Sequence, residues 1–121
     1  MNQSSHARPL SDRERAVAQR ILDATRTSDV DRLKNQLSVA TVEAASNPTF
    51  LDLTIPRTVP HAKIEDGPLS VQALIRGTDA QQVEGEIILW VQDGYLSALE
   101  LAWYTDEPPV EWPSTDRLVT S

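Results

Sequence analysis

The sequence predicts an α+β fold in which two N-terminal helices pack on an antiparallel sheet of about five strands that ends in a β-meander. Near the N-terminus apolar residues recur at helical spacing, whereas after about residue 39 short runs rich in β-branched residues alternate with turn residues. The strongest signal is Asp93-Gly94 between two apolar runs, residues 83–92 and 95–104. This dipeptide is typical of a two-residue hairpin turn, because glycine adopts positive φ at little cost.

Two N-cap patterns predict the helices. Ser11-Asp12-Arg13-Glu14 is a capping box, in which Ser11 accepts a hydrogen bond from the amide of Glu14 and the Glu14 carboxylate accepts one from the amide of Ser11. The helical spacing continues to about Thr25. Ser28-Asp29-Val30-Asp31 repeats the N-cap pattern and begins a second helix, which we expect to end at about Gln36.

The remaining strands are assigned from alternation and turn residues. Residues 39–45 and 50–55 are predicted to form a hairpin around Ser46-Asn47-Pro48, and residues 70–78 form a further strand that leads into the central hairpin. The intervening stretch, residues 56–69, is irregular and contains three prolines and a glycine. It carries two of the four basic side chains of residues 41–121, Arg57 and Lys63, together with His61. We interpret it either as a small positive spot for an anion or as an ordinary crossover.

Regular pairing outward from Gln92 and Tyr95 predicts which residues share each face of the central hairpin. This register puts Glu100 on a mostly apolar face with Ile87, and it puts Glu86 on the opposite face. Both faces are substantially apolar, so we expect the hairpin to be covered on both faces or to expose one face to a partner. One face carries Ile87, Leu89, Val91, Leu96, Ala98, Glu100, Ala102 and Tyr104, and the other carries Glu86, Ile88, Trp90, Ser97, Leu99, Leu101 and Trp103.

A proline-rich segment with three carboxylates, residues 105–113, follows the hairpin. Proline excludes both a helix and a central strand there. We predict a protein-binding surface formed by Asp106, Glu107, Glu111 and Trp112, because tryptophan is enriched at interfaces. The alternative is a structural role, in which Trp112 packs back over the sheet and pins the tail.

The length of 121 residues suits one domain with a core of its own. We predict that residues 1–10 are a disordered lead, that residues 11–113 form a single α+β domain and that residues 114–121 are a flexible tail. No apolar run approaches the ~18 residues of a membrane span, and we expect a cytoplasmic protein without membrane association.

The net charge of −7 is unevenly distributed along the chain. Residues 1–40 hold seven basic and five acidic side chains, whereas residues 41–121 hold four basic and thirteen acidic side chains. An acidic surface of this kind repels phosphate, so we predict no nucleic-acid binding. It attracts a basic protein partner, although acidity also serves solubility alone.

Catalytic and cofactor-binding motifs are absent from the sequence. There is no cysteine, and the two histidines, His6 and His61, have no metal-ligand spacing. There is no glycine-rich phosphate loop and no Gly-x-Ser-x-Gly elbow. We therefore predict no catalytic residue, no metal and no cofactor.

Glu100 is the residue on which an enzymatic alternative depends. The regular register places it among apolar side chains, where burial makes a carboxyl group a candidate general acid or base. A small hydrolase or isomerase would use Glu100 with His61. The simpler interpretation is a carboxylate at the edge of the core, paired with an arginine such as Arg20 or lying nearer to solvent.

The C-terminal third resembles a family of short bacterial proteins that are known only as hypothetical or uncharacterised. The resemblance is carried by Leu89-Trp90-Val91, Asp93-Gly94, Leu96-Ser97-Ala98-Leu99-Glu100, Asp106-Glu107-Pro108-Pro109 and Glu111-Trp112-Pro113. Members of that family often have a cysteine-rich turn before the proline that corresponds to Pro48, whereas this chain has Ala44-Ala45-Ser46-Asn47. The resemblance therefore implies a fold but no thiol chemistry, metal or activity.

Together these features predict a small acidic, non-enzymatic protein-binding domain. An immunity or antitoxin-like protein, whose carboxylates neutralise a basic toxin, fits the charge. The alternatives are a homodimer that buries a spare apolar face around Trp90 and Trp103, and the small enzyme that uses Glu100 and His61.

Overall fold

The computed structural model describes residues 7–44, 46–77 and 82–120. Its helices and strands are, in chain order, β1 (Arg8–Pro9), α1 (Asp12–Ala24), α2 (Val30–Val39), β2 (Thr41–Val42), β3 (Phe50–Thr54), β4 (Gly67–Pro68), β5 (Ala73–Arg76), β6 (Val83–Gln92), β7 (Tyr95–Trp103) and β8 (Leu118–Thr120). A single turn of 3-10 helix, Thr115–Arg117, precedes β8. The predicted α+β class with an antiparallel sheet is confirmed. Within the described residues the sheet has eight strands, more than the five or so predicted.

The strands follow the order β1-β2-β3-β7-β6-β5-β8, and every pairing is antiparallel. The short strand β4 also pairs with β6, so β4 and β5 lie one after the other along the same edge of β6. β5, β6 and β7 form the predicted meander. β8 then returns to pair with β5 on the far side of the sheet.

The capping box at the start of α1 is confirmed. The Ser11 hydroxyl accepts from the amide of Glu14 at 3.2 Å, and Glu14 Oε1 accepts from the amide of Ser11 at 2.8 Å. The cap expected for α2 is different, because the side chain of Asp29 makes no capping bond. Its carboxylate instead accepts from the amide of Lys63 at 2.6 Å and ties the long loop to the helix.

α2 continues to Val39, three residues beyond its predicted end at Gln36. Leu33 and Leu37 are both buried on the inner side of this helix, and their burial favours the additional turn. The strand predicted over residues 39–45 is therefore reduced to β2, which pairs with β3 as the predicted hairpin. Residue 45 of that predicted strand lies outside the described residues.

Both helices pack against the same face of the sheet. α1 contacts β6 and β8, and α2 contacts β7. Alternate residues of the strands point into this layer, as the regular alternation of buried and exposed residues in β3 shows. The largest fully buried apolar side chains of the core are Ile21, Leu22, Leu33, Leu37, Leu51, Ile87, Leu89, Leu96 and Leu99.

Parts of the predicted lead and of the predicted tail lie in strands of the sheet. Residues 1–6 of the predicted lead lie outside the described residues, but Arg8–Pro9 forms β1 and the side chain of Leu10 is buried. Residues 115–120 of the predicted flexible tail form the 3-10 turn and β8, and residue 121 lies outside the described residues. Leu118 is only 2% exposed, so burial of an apolar side chain holds this segment in the sheet.

Candidate functional site

A β-bulge at Ser97 decides which residues share a face of the central hairpin. The turn has positive φ at both Asp93 and Gly94, and the first two cross-strand pairs are the predicted ones. Trp90 then pairs with Ala98 instead of Ser97, and the register is shifted by one residue from there on. The predicted face assignment is therefore wrong for residues 98–104.

The bulge moves Glu100 away from the core. It lies opposite Ile88, on the same face as Glu86, whereas Leu99 and Leu101 take the positions that face the helices. A regular hairpin would have placed the carboxylate of Glu100 on the covered face, where an unpaired charge is costly. The bulge thus keeps the charged Glu100 off the covered face, where the regular register predicted it to lie.

The face of the sheet opposite the helices is accessible to solvent in the described part of the chain, and we call it the open face. Three cross-strand rows traverse it. The first row runs from Val119 through Leu74 and Glu86 to Ala102, the second from Ile88 through Glu100 to Phe50, and the third from Pro68 through Trp90 and Ala98 to Asp52. Phe50 is 37% exposed and Val119 is 41% exposed, which shows that large apolar groups on this face reach solvent.

Two aromatic side chains hold two carboxylates on the open face. Trp90 Nε1 donates to Glu100 Oε1 at 3.0 Å, and the Tyr104 hydroxyl donates to Glu86 Oε1 at 3.0 Å. Desolvation, together with the hydrogen bond to the negatively charged Glu86, raises the pKa of Tyr104. Glu86 and Glu100 are diagonal neighbours on adjacent strands, a relation that separates the Cβ atoms by roughly 7 Å.

A groove of about 410 Å³ lies beside Trp90. It forms because the chain between β4 and β5 leaves the edge of β6, so that Ile88 has no strand residue opposite it on that side. The segment Pro68–Gln72 makes one wall, and Glu86, Ile88 and Trp90 make the floor and the other wall.

The open face is acidic. Its carboxylates Asp52, Glu86 and Glu100 take part in none of the ion pairs formed among the described residues. The ion pair between Arg117 and Glu84 lies at the start of β6, two residues before Glu86. The face therefore combines exposed apolar and aromatic groups with negative charge that is not neutralised by an ion pair within the described chain.

The four residues of the predicted binding tail differ in exposure. Asp106, Glu107 and Glu111 are exposed, whereas Trp112 is 7% exposed and donates from its indole nitrogen to the carbonyl of Pro48 at 3.0 Å. Arg13 donates to the carbonyl of Trp112 at 2.9 Å and forms an ion pair with Glu111 at 3.2 Å. These contacts give Trp112 the structural role considered above, in which it pins the tail.

The alternative enzymatic pair, Glu100 and His61, is not brought together. The Cβ of His61 lies next to Gly94 at the hairpin tip, and Glu100 follows six residues later along β7, roughly 20 Å away at the usual rise of a strand. Arg20, the arginine suggested as a partner for Glu100, donates instead to the carbonyls of Thr115 and Leu118. The partner of Glu100 is Trp90.

The long loop, residues 56–69, is fastened to the hairpin tip. The buried amide of Gln36 donates to the carbonyls of Pro60 and Gly94 and accepts from the amide of Leu96. The guanidinium of Arg57 lies 4.0 Å from the ring centre of Tyr95. These contacts describe the crossover alternative, and an anion site at Arg57, His61 and Lys63 stays a prediction.

Trp90 and Trp103, which the homodimer alternative placed on one face, lie on opposite faces. Trp103 pairs with Gly85, whose position faces the helix layer, and it is 38% exposed at the end of β7. The apolar surface available to a partner is therefore centred on Trp90 and Ile88. The sequence indicated it through the apolar character of both hairpin faces, but the contributions of Phe50 and Leu74 depend on the pairing of β3 and β5.

Two further findings bear on the site. Among residues 7–44, 46–77 and 82–120 no three potential metal-binding side chains of His, Asp or Glu cluster together. Neither helix in that part of the chain is long and apolar enough to cross a membrane.

Comparison with known proteins adds no assignment. No protein-family model, curated protein or solved structure matches the chain. The resemblance of the C-terminal stretch to short bacterial proteins stays a prediction.

Proposed function

We propose that the chain is a non-enzymatic domain that binds a basic protein partner through the open face of its sheet. The observation that carries this proposal is the combination, on one accessible face, of Trp90, Ile88 and Phe50 with the carboxylates of Asp52, Glu86 and Glu100. Exposed aromatic groups are the residues that most often anchor protein interfaces. The carboxylates supply specificity for a partner of positive charge.

The distribution of charge along the chain supports the sign of this partner. Residues 41–121, which form most of the sheet, hold thirteen acidic and only four basic side chains. Such a surface accelerates the encounter with a basic protein and repels nucleic acid. The specific role we propose is that of an immunity or antitoxin-like protein, which covers the basic active site of a toxin.

The tail adds further carboxylates directly after the hairpin. Asp106 and Glu107 follow Tyr104, the last open-face residue of the hairpin, after one intervening residue. Both are exposed, and the buried Trp112 anchors the segment that carries them. In this arrangement the open face provides the centre of the interface and the tail provides its charged rim.

Affinity capture with three baits tests the proposal. The baits are the wild type, the double variant E86Q/E100Q on the open face and the double variant D106N/E107Q on the tail, each changed by two charges. Capture from lysate of the native host, at low and at moderate salt, is followed by mass spectrometry. We expect the wild type to retain a basic protein in stoichiometric amount and less of it at moderate salt, because screening weakens charge steering.

The two variants distinguish the contribution of the open face to binding from that of the tail. We expect E86Q/E100Q to lose most of the captured protein and D106N/E107Q to retain most of it, because rim charges contribute little to affinity. Equal capture by E86Q/E100Q and wild type would remove the open face from the interface. If the bait captured only further copies of the same chain, the homodimer alternative would replace the proposal of a basic partner.

A further inference from the structure

We propose that the groove beside Trp90 binds an arginine side chain of the partner. This inference rests on the proposed function and names the chemical group that the open face recognises. It depends on three properties of the groove: an aromatic wall, a fixed orientation of that wall, and carboxylates at its margin.

The wall of the groove suits the flat face of a guanidinium group. Trp90, Ile88, Pro68 and Leu69 supply apolar surface to the groove, and the rest of its lining includes polar side chains. Arginine stacks on tryptophan more favourably than on any other side chain, and its guanidinium is weakly hydrated, so little hydration is lost on entry. The aliphatic part of the arginine side chain would contact Leu69 and Ile88.

The indole of Trp90 is held in place before a partner arrives. Its Nε1 donates to Glu100 Oε1, and Ala98 lies directly opposite on the neighbouring strand. The small side chain at residue 98 leaves room for the ring on the sheet surface. Because the ring is already oriented, little conformational entropy is lost when it is covered.

The carboxylates beside the groove match the charge and donors of arginine. Glu86 lines the groove, and Glu100 is bonded to the edge of the Trp90 ring. The bonds from Tyr104 and Trp90 each engage Oε1, and the Oε2 atoms accept no hydrogen bond from the described residues. Guanidinium presents several N–H donors in one plane, so it can bond both carboxylates while its face covers the indole.

A second copy of the chain is a poor occupant. Docking the open face on its own copy would bring Asp52, Glu86 and Glu100 towards the same three carboxylates. Like charges at an interface oppose association. Lysine is also less suitable than arginine, because its ammonium is strongly hydrated and cannot stack as a plane.

Nuclear magnetic resonance of the three tryptophan indole N–H groups tests the inference on the intact chain. The probes are three capped tripeptides, acetyl-Gly-X-Gly-amide, in which X is arginine, lysine or citrulline. Citrulline has the shape of arginine without its charge. The variant Trp90→Phe assigns the Trp90 signal, and the signal of the buried Trp112, bonded to Pro48, reports that each variant is folded.

We expect the arginine peptide to shift the Trp90 signal in a saturable manner, the lysine peptide to shift it less and the citrulline peptide least. The double variant E86Q/E100Q should weaken binding of the arginine peptide about tenfold, because it removes two partly exposed charge pairs of about 0.7 kcal/mol each. The variant D31N/E65Q, which removes two exposed charges on α2 and in the long loop, should leave the titration unchanged.

Two results would overturn the inference. One is the absence of a Trp90 shift with the arginine peptide, and the other is an equal shift with the citrulline peptide. If capture of a basic protein still requires Glu86 and Glu100 in either case, the proposed function stands and only the arginine assignment fails.

Discussion

Glu14 shows how much one side chain can hold in place. It is 5% exposed, it completes the capping box of α1, and both its carboxylate oxygens accept from the guanidinium of Arg8. Burial alone would raise the pKa of Glu14, but the bonds from Arg8 and Ser11 outweigh burial and lower it. The same ion pair fastens β1 to the start of the helix.

The lowered pKa of Glu14 predicts a pH dependence of stability. Because the pKa is lower in the folded than in the unfolded chain, the ionised carboxylate stabilises the fold above the usual glutamate range, and this contribution is lost as the pH falls through the lowered pKa. E14Q keeps the capping bond but removes the charge. We expect the free energy of unfolding of E14Q at pH 7 to be lower than that of the wild type by about 1 kcal/mol.

Urea unfolding of both proteins between pH 7 and pH 3 measures this difference, which should shrink as the pH falls. E111Q is the matched control, because the pair of Arg13 with Glu111 is exposed on both sides and should contribute less than about 0.5 kcal/mol. A difference between E14Q and wild type that stays constant down to pH 3 would show that the charge of Glu14 is not responsible.

At the scale of residues, local interactions were predictable and distant ones were not. The capping box involves residues three apart, so the sequence shows both partners. The partner of Glu14 in β1 and the partner of Glu100 in β6 depend on how separate elements meet. Gln36, whose amide joins three backbone groups of two distant segments, carries no sequence signal beyond being a polar residue beside Leu37.

Among the elements, β8 contributes to stability through one buried side chain. Leu118 is 2% exposed in the layer beneath the helices, whereas its neighbour Val119 points to the open face and is 41% exposed. We expect Leu118→Ala to lower the free energy of unfolding by about 2–4 kcal/mol. Val119→Ala should change it by about 0.5 kcal/mol at most.

Thermal or urea unfolding of the two variants provides the comparison, and each acts as the control for the other. If residues 114–121 were a flexible tail, the two substitutions would have equal and small effects. A large decrease in the free energy of unfolding for Leu118→Ala, without one for Val119→Ala, would confirm that β8 is part of the sheet.

Among the elements, too, only features with local sequence signals were predictable. Periodicity and turn residues predicted the two helices, the hairpin of residues 39–55 and the Asp93-Gly94 turn, because these signals are local. The bulge at Ser97 has no comparable signal, and a single unpaired residue exchanges the two faces of β7 beyond it. The short strands β1, β4 and β8 are formed by pairing with neighbours rather than by their own composition.

Considered as a whole, the molecule has two apolar sheet faces that differ in whether they are covered. The helices cover one face of the sheet, and the other face keeps apolar and aromatic groups in solvent together with Asp52, Glu86 and Glu100. These carboxylates form no ion pair among the described residues, and their charge is the basis on which we propose a basic partner over self-association. The sequence predicted such a spare face, and the structure identifies its residues after the bulge is taken into account.

The measurement that tests the central claim most directly is carboxylate labelling of the chain, free and in complex with the captured partner. Carbodiimide couples exposed Asp and Glu side chains to glycine ethyl ester, and mass spectrometry reports the extent at each residue. We predict that the partner reduces labelling of Glu86 and Glu100, and leaves Asp31 on α2 and Glu65 in the long loop as reactive as in the free chain. Unchanged labelling of Glu86 and Glu100, with protection of Asp31 or Glu65 instead, would contradict binding through the open face.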